Sequence, residues 1–373
     1  MKKKLMFVAP ANSIHAHKWI DYFTKEYEII WISFDKNNVI DVTNSKYKKN
    51  FNLIKVFDID LFTSIYLFPK LILTSLKFKP DLVHIHPANK YLFFSIFFLL
   101  FFKKIILTIW GSDYIYNKNK YIYKKFFIFS LKKISLITTD ANHIKKSILN
   151  KFNYKRIEII NFGLGEFFYN KPMTDNLVDK KIFNTLNNLR LKKNSFIIYS
   201  NRSFTEISDI DIIIKSYIDL RNKFKDVYLL MTGHGPLLDK FKKKYEGKEF
   251  FLGIYIFSRV NMQTLKYLYS NTNVFISASR SDAGISTSIS EAMFHNVFCL
   301  VSNNSDNHLW IKNFYNGFLF KTGSRKDLSK KLENFYKNKN IFSKKIKLIN
   351  KSKLRSNSYI TEMDKMNRMY FKL

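Results

Sequence analysis

Short apolar runs alternate with longer amphipathic segments along most of this chain, and the apolar runs end in polar or small residues. Leu82 to Ile85 is followed by His86, and Ile105 to Ile109 is followed by Trp110 and Gly111. Strands that alternate with helices predict a parallel sheet with helices on both faces. In such sheets, ligands bind at the carboxyl ends of the strands. The pattern therefore predicts an α/β fold with doubly wound parallel sheets and a ligand site at a sheet edge.

The length of the chain predicts more than one domain. Its 373 residues, 46% of them hydrophobic, are enough for two cores at about 150 residues per domain. The alternation weakens over residues 166–190, which predict a linker with a helix. We therefore predict domains at 1–165 and 191–355, followed by a terminal helix within 356–373.

The chain is strongly basic, with 63 Lys and Arg against 29 Asp and Glu, and a net charge of +34. Such an excess attracts anionic surfaces, whether lipid, nucleic acid or phosphorylated substrate. The lysines are spread along the chain rather than gathered in one tail, which argues against nucleic acid as the partner. Residues 118–133 alternate lysines with aromatic residues. They predict either an interfacial helix on anionic lipid or an amphipathic helix that covers the sheet.

Cysteine content and apolar stretches predict a cytoplasmic protein. Cys299, the one cysteine, lies within an apolar run, which excludes a disulfide framework and a cysteine metal site. The longest apolar stretch, 91–102, is shorter than the roughly 20 residues of a transmembrane helix. The apolar run at 4–9 is too short for a signal peptide and predicts a first strand.

The stretch 277–310 predicts a phosphate site. It follows an apolar strand and contains a polar loop, a short helix that opens at Glu291, and a second strand at 297–301. The free N–H groups and positive dipole end of a helix start suit a phosphate. Four loop residues also suit a phosphate. Gly284 lets the backbone approach the anion closely, and Ser286, Thr287 and Ser288 offer hydroxyl donors.

Glu291 has a second interpretation. The sequence from Ser288 to Glu291 has the spacing of a capping box. In a capping box the glutamate only bonds a backbone N–H group at the helix start. Both interpretations agree that a helix begins near this residue.

Several sequence landmarks resemble the retaining glycosyltransferases of family 4, which have the GT-B fold of two Rossmann-like domains facing across a cleft. The landmarks occur in the family's order: NSIHAHKWI at 12–20, DLVHIH at 81–86, GSD at 111–113, NR at 201–202, GHGPL at 233–237, EAM at 291–293 and NGFLF at 316–320. The resemblance implies an N-terminal acceptor domain and a C-terminal domain that binds a nucleotide-sugar. It also implies that the last helix, Tyr359 to Phe371, crosses back to the first domain.

Two positions depart from the family pattern. The family carries two glutamates in an E-x7-E pattern, and Ala283 stands where the first would be, with Asp282 beside it. The family also has a lysine five residues after its arginine, and Ile207 stands there. Either Asp282 or Ser286 replaces the missing groups, or the activity is reduced.

The resemblance also implies roles for individual residues. Arg202, at a strand end where a guanidinium can hold a diphosphate bidentately, would stabilise the leaving group. Glu291 would accept hydrogen bonds from the ribose. His86 would lie near the sugar and acceptor, although a structural role is equally open, and His84 is expected to be a core histidine. The other implied donor residues are Gly233, Gly235, Asp282, Gly284, Ser286, Thr287 and Ser288. The implied acceptor-side residues are Asn12, Ser13, His15, Ser112 and Asp113.

The implied enzyme is a hexosyltransferase that moves a sugar, with retention of configuration, from a nucleotide-sugar to a glycan or lipid-linked glycan. It would act in polysaccharide or lipopolysaccharide synthesis, peripherally on the anionic inner face of the plasma membrane. No cofactor and no metal are predicted, because the D-x-D pairs at 58–60 and 209–211 are short and Asp209 suits a helix cap. Two alternatives stay open: a non-catalytic basic GT-B scaffold on a membrane or polyanion, and a nucleotide-sugar epimerase of this fold.

Overall fold

The computed structural model describes residues 2–34, 51–55, 61–161, 173–190, 195–282, 284–343, 346, 350, 354 and 357–373. The Asp58–Asp60 pair, Ala283 and parts of the predicted linker lie outside these residues. The chain forms two compact units, one of Met1–Phe162 with Glu362–Leu373 and the other of Gly163–Thr361.

The N-terminal unit contains a seven-stranded parallel sheet in the order β3-β2-β1-β4-β5-β6-β7. Its strands are β1 Lys3–Val8, β2 Tyr27–Ser33, β3 Phe51–Lys55, β4 Leu82–Ile85, β5 Ile105–Ile109, β6 Leu136–Thr139 and β7 Ile157–Ile159. The helices between them are α1 Ile14–Phe23, α2 Leu61–Phe78, α3 Lys90–Phe94, α4 Ile96–Phe101, α5 Ser112–Ile115, α6 Tyr121–Leu131 and α7 Asn142–Phe152.

The C-terminal unit repeats this arrangement with six parallel strands in the order β10-β9-β8-β11-β12-β13. These strands are β8 Phe196–Ser200, β9 Val227–Thr232, β10 Ile254–Phe257, β11 Val274–Ser277, β12 Phe298–Ser302 and β13 Gly317–Phe320. The remaining helices are α8 Lys180–Arg190, α9 Ile210–Lys223, α10 Leu238–Tyr245, α11 Glu249–Leu252, α12 Met262–Ser270, α13 Thr287–Phe294, α14 Asn307–Trp310, α15 Arg325–Lys337, α16 Lys339–Ser343 and α17 Tyr359–Lys372.

The predicted α/β class with doubly wound parallel sheets is confirmed. Strands such as β5 are mostly apolar and are buried along their whole length, as expected where helices cover both faces of a sheet. In each sheet the chain order reverses at one point, between β1 and β4 and between β8 and β11. Ligands in such folds bind beyond the carboxyl ends of the strands at this reversal, so the residues that follow these four strands are the first candidates for a site.

The terminal helix α17 belongs largely to the N-terminal unit. The Tyr370 hydroxyl bonds the Nδ1 atom of His84, and the Tyr27 hydroxyl donates to Asn367 at 2.9 Å. The Glu362 carboxylate accepts from the backbone N–H of Asn161 at 2.8 Å. His84, fully buried and also bonded to the Thr108 hydroxyl at 2.6 Å, is the core histidine that the sequence predicts.

The aromatic segment 90–102 is not one continuous helix. It forms two short helices, α3 and α4, which meet at Ser95. The Ser95 hydroxyl donates to the carbonyl of Tyr91 at 2.7 Å, and such back-bonding bends helices. Among the described residues, no helix is long and apolar enough to cross a bilayer.

Candidate functional site

The polar residues that follow β8 and β11 meet around the guanidinium of Arg202. Its Nη2 atom donates to Asp282 Oδ1 at 2.7 Å, and its Nη1 atom donates to the Ser288 hydroxyl at 3.1 Å. Its Nε and Nη2 atoms both donate to the Ser279 hydroxyl, at 3.0 and 2.7 Å. We call these four residues the Arg202 cluster. Arg202, Asp282 and Ser288 are sequence-predicted site residues, whereas Ser279 was missed.

Within the described residues, these contacts use most of the hydrogen-bonding capacity of Arg202. A guanidinium has five N–H groups, and the cluster uses four of them. The Arg202 side chain is 17% exposed, whereas that of Asp282 is 2% exposed. The bidentate hold on a diphosphate that the sequence predicts therefore requires the ligand to compete with the protein's own acceptors.

Glu291 is not part of a capping box. The helix α13 begins at Thr287, and its N-cap is Ser286, whose hydroxyl accepts from the N–H of Ile289 at 3.4 Å. Glu291 therefore lies in the second turn, where the first-turn N–H groups are out of reach. Its Oε2 atom instead accepts from the hydroxyl of Tyr269 at 3.0 Å and from the amide of Asn201 at 3.5 Å.

The surroundings of Glu291 are buried, and the nearby tyrosine hydroxyls are neutral. Glu291 itself is 5% exposed. Burial, followed by the nearby carboxylate of Glu291, raises the pKa of Tyr269 well above its usual value. Burial also raises the pKa of Tyr199, whose hydroxyl lies 2.7 Å from that of Thr232. Both tyrosines therefore stay neutral, and Tyr269 acts as a donor to Glu291.

The two predicted glycines after β9, Gly233 and Gly235, pack closely against the loop that carries Arg202. A Cβ atom on Gly233 would lie 2.8 Å from the carbonyl oxygen of Arg202. Gly235 has a φ of +134°, and its Cβ would lie 2.6 Å from the carbonyl oxygen of Phe204. The N–H of Phe204 in turn donates to the carbonyl of His234 at 2.8 Å. The close approach of these two loops therefore explains why glycine stands at both positions, without reference to a ligand.

The remaining residues of this loop region have mixed roles. Gly284 is buried, and Thr287 is the half-exposed first residue of α13. The hydroxyls of Ser286 and Ser288 lie 3.1 Å apart. The sequence predicts that Asp209 caps α9. Asp209 does occupy the N-cap position, but its side chain makes no capping hydrogen bond. It binds the Nε and Nη2 atoms of Arg280 at 2.8 and 2.9 Å instead, because a guanidinium is the stronger partner.

In the N-terminal unit, His86 follows β4 and is completely buried. Its ring centroid lies 4.7 Å from that of Trp19 and 4.8 Å from that of Phe7. Burial lowers the pKa of His86 well below its usual value, so the ring is neutral. The indole N–H of Trp110 donates to its Nδ1 atom at 3.1 Å. The single ring hydrogen of His86 is therefore on Nε2, which has no hydrogen-bond partner among the described residues.

Asp113 ties together the loops after β4 and β5. Its Oδ2 atom accepts from the N–H groups of Ala88 at 2.6 Å and Trp110 at 3.3 Å. Burial raises the pKa of Asp113 to about 6, although these backbone hydrogen bonds oppose the shift. Ser112 beside it is exposed. Asp113 thus holds the backbone of Trp110, the residue that bonds His86.

The predicted residues before α1 lie near the same group. Ser13 caps the helix, its hydroxyl accepting from the N–H of His15 at 3.3 Å, and Asn12 is exposed. Burial, and then the charge of Lys18, lowers the pKa of His15 to about 4. The ring centroids of His15 and Trp110 are 5.9 Å apart. Of the predicted acceptor-side residues, His15 and Asp113 contact Trp110, which was not among the predicted site residues.

No group of three or more His, Cys, Asp and Glu side chains in the described part of the chain could hold a metal ion.

Two family models match the chain, one in each unit. A "Glycosyl transferase 4-like" model matches residues 4–141, and a "Glycosyl transferases group 1" model matches residues 182–355. An uncharacterized glycosyltransferase of Methanocaldococcus jannaschii is 25% identical over 250 residues, which are 64% of this chain and 60% of that protein. The match thus spans less than two thirds of that relative's length.

Solved structures show the same fold over the whole chain. A glycosyltransferase of Rickettsia africae has a TM-score of 0.79 at 18% identity, covering 100% of this chain and 98% of its own. Anabaena HepE, crystallised with UDP-glucose, has a TM-score of 0.78 at 11% identity, and the match covers 99% of this chain and 100% of the HepE chain. With both units matched by glycosyltransferase models and the GT-B fold shared with these structures, the chain belongs to the glycosyltransferases.

Proposed function

We propose that this protein transfers a sugar, with retention of configuration, from a nucleotide-sugar to a glycan or lipid-linked glycan in cell-envelope polysaccharide or lipopolysaccharide synthesis. The observation that carries the proposal is the Arg202 cluster, which joins the chain reversal of the second sheet to the first turn of α13. A guanidinium, hydroxyl donors and a helix N-terminus together suit a diphosphate. The similar fold of HepE, a protein crystallised with UDP-glucose, supports this assignment.

The mechanism follows from where charge develops. As the sugar–phosphate bond breaks, negative charge grows on the leaving diphosphate, and groups already aimed at it lower the barrier. Arg202 and the free N–H groups at the start of α13 would supply that stabilisation. Glu291, fixed by Tyr269, would accept hydrogen bonds from the ribose hydroxyls. The leaving phosphate oxygen would take the proton of the attacking hydroxyl, and we propose a reaction that needs no metal.

The N-terminal unit would supply the acceptor site around Asn12, His15 and His86. Because the Trp110 N–H donates to Nδ1 of His86, the hydrogen of the neutral ring is on Nε2. A ring in this state cannot remove a proton through Nε2. This assignment agrees with a leaving phosphate oxygen as the proton acceptor.

A screen of nucleotide-sugars tests the proposed activity. We expect UDP-, GDP-, CMP- or dTDP-sugars of one base class to raise the melting temperature, because a ligand at a hundredfold excess over its Kd stabilises by about 3 kcal/mol. The Glu291→Ala variant should lose the shift. Glu333→Ala, which removes a surface carboxylate paired with Lys223, is the matched control and should keep it.

The other outcomes of the screen separate the alternatives. Conversion of a nucleotide-sugar in the absence of any acceptor would identify an epimerase. No shift from any donor, with binding to anionic vesicles intact, would favour a non-catalytic scaffold and contradict the transferase.

We also propose that the enzyme works on the anionic inner face of the plasma membrane, docked through α3, α4 and α6. These helices expose large apolar side chains: Phe93 53%, Leu100 55%, Phe101 54%, Tyr121 68% and Ile122 77%. The ring contact between Phe93 and Phe126, at 5.2 Å between centroids, joins α3 to α6. Exposed lysines surround them: Lys103, Lys104, Lys120, Lys124, Lys125, Lys132 and Lys133.

Both sequence interpretations of residues 118–133 contribute to this proposal. Phe127 and Leu131 of α6 lie in the core beneath, so the helix covers the sheet. Ile122 and Tyr121 face outward beside Lys125, whose ammonium lies 4.4 Å from the Tyr121 ring centroid. Apolar side chains among lysines match the boundary between headgroups and acyl chains of an anionic bilayer.

Charge reversal tests the docking surface. Lys124→Glu with Lys125→Glu should reduce binding to phosphatidylglycerol vesicles at least about tenfold, because each lysine near such a surface contributes about 1 kcal/mol. Flotation or sedimentation measures the bound fraction. Lys240→Glu with Lys243→Glu, on exposed positions of α10 in the C-terminal unit, makes the same change in net charge and should bind like the parent. Equal losses in both variants would mean that net charge alone drives binding.

A further inference from the structure

The carboxylate of Asp282 is built into the protein rather than presented to a ligand. Its Oδ1 atom holds Arg202 at 2.7 Å, and its Oδ2 atom accepts from the amide of Asn307 at 3.1 Å. Its backbone N–H donates to Asn304 Oδ1 at 3.0 Å, and the amide of Asn304 donates to the Ser279 carbonyl at 2.5 Å. With 2% of its side chain exposed, Asp282 is fixed from several sides. It therefore cannot turn toward a sugar while these contacts last.

We propose that Asp282 is a built-in counter-ion that competes with the donor's diphosphate for Arg202 and so sets how tightly the donor binds. The proposal rests on the donor site proposed above. A diphosphate that approaches Arg202 meets a guanidinium whose charge is already balanced and whose N–H groups are mostly used. Binding must therefore displace Asp282 or share the guanidinium with it.

The charges near the site support this role. Arg202 contributes one positive charge, and Asp282 and Glu291 contribute one negative charge each, so these three groups sum to −1. At position 207, where the resembling family has a second cation, the chain has Ile207. A diphosphate anion that binds at Arg202 is thus attracted by this guanidinium and repelled by the Asp282 carboxylate in contact with the guanidinium. Removing the carboxylate's charge should strengthen anion binding more than any other single conservative change in the cluster.

Asp282→Asn removes this charge and keeps the shape of the side chain. The amide oxygen can still accept from Arg202, so the guanidinium stays in position. Coulomb's law at an effective dielectric constant near 20, for an anion roughly 6–8 Å from Asp282, gives a gain of at least about tenfold. We therefore expect the variant to bind UDP and inorganic pyrophosphate at least about tenfold more tightly than the parent, measured by isothermal titration calorimetry.

Asp219→Asn is the matched control. Asp219 also pairs with an arginine, Arg325, and accepts from the Ser329 hydroxyl. Its pKa is lowered by that guanidinium, as expected for a charged partner. Since none of the cluster contacts involves it, the affinity for both probes should not change in this variant.

The outcomes separate this inference from the proposed function. If UDP binds the parent but binds Asp282→Asn with equal or lower affinity, the counter-ion role is overturned and the donor site stands. If neither UDP nor pyrophosphate binds the parent or the variant, both proposals are overturned. Should Asp282→Asn fold poorly, Asp282→Ser removes the same charge, leaves room for water, and must shift affinity in the same direction.

Discussion

Replacing Arg202 by alanine should weaken donor binding and sugar transfer by about two orders of magnitude or more. Charge-assisted hydrogen bonds are roughly twice as strong as neutral ones, and losing one preorganised donor to developing negative charge typically costs 10²–10³ in rate. The guanidinium is 17% exposed, so solvent screens it only in part. The measurements are the Kd for the nucleotide-sugar found by the screen and kcat/KM for transfer.

The single variant has a second consequence, for folding. Without Arg202, the Asp282 carboxylate would remain buried with no cation in contact, and breaking a buried pair from one side costs about 3–5 kcal/mol. The double variant Arg202→Ala with Asp282→Asn removes both charges together. We expect it to recover most of the lost free energy of unfolding and, because the carboxylate that repels the diphosphate is also gone, part of the donor affinity, while still binding the donor more weakly than the parent.

Arg202→Lys distinguishes charge from geometry. Lysine keeps the charge but offers a compact ammonium in place of the planar fork, so it cannot reach Asp282, Ser279 and Ser288 together. We expect donor affinity between those of the parent and the alanine variant. Parent-like affinity in both the alanine variant and the double variant would mean that the diphosphate is held elsewhere on the chain.

The periodicity of the sequence was enough to predict the sheets, because buried parallel strands are short continuous apolar runs. Helix α15, Arg325–Lys337, begins directly after a single serine, Ser324, which caps it. For α13 the predicted start of the helix, at Glu291, is a full turn too late, because Ser286, Ser288 and Ser290 can each serve as a helix cap. In the structure Ser286 caps the helix, whereas the Ser288 hydroxyl accepts from Arg202, a long-range contact that local sequence cannot reveal.

The sequence did not predict which side chains the site residues contact. Arg202 and Asp282 are 80 positions apart, and their contact depends on β8 and β11 being neighbours. Ser279 and Tyr269 carry no motif and act only through the side chains they touch. Resemblance predicted which residues gather after these strands, but not that Arg202 would already be paired with Asp282.

The NGFLF stretch shows the opposite case, a family landmark whose glycine is explained by packing alone. Gly317 opens β13 and pairs with Cys299 of β12. A Cβ atom on Gly317 would lie 2.1 Å from the carbonyl oxygen of Cys299 and 2.8 Å from the Cγ2 atom of Ile311. The first of these is backbone in the sheet interior, which cannot move without breaking the ladder. Only glycine fits this position.

Gly317→Ala should therefore destabilise the C-terminal unit by about 3 kcal/mol or more, beyond the usual range for overpacked cores. For a unit of this size that corresponds to a fall in melting temperature of about 10 °C. Scanning calorimetry of the whole chain is the appropriate measurement, because two units need not unfold in one transition. The transition that a donor ligand shifts upward identifies the C-terminal unit.

Gly323→Ala is the control that separates crowding from backbone strain. Gly323 has a φ of +75°, but a Cβ atom there would meet nothing within 4 Å. Placing alanine in this left-handed conformation costs roughly 1–2 kcal/mol, so its effect should be clearly smaller than that of Gly317→Ala. If the two variants were equally destabilised, the contact with Cys299 would not be what requires glycine at position 317. If Gly317→Ala is destabilised clearly more than Gly323→Ala, the sheet requires the glycine at position 317, and that glycine carries no information about donor binding.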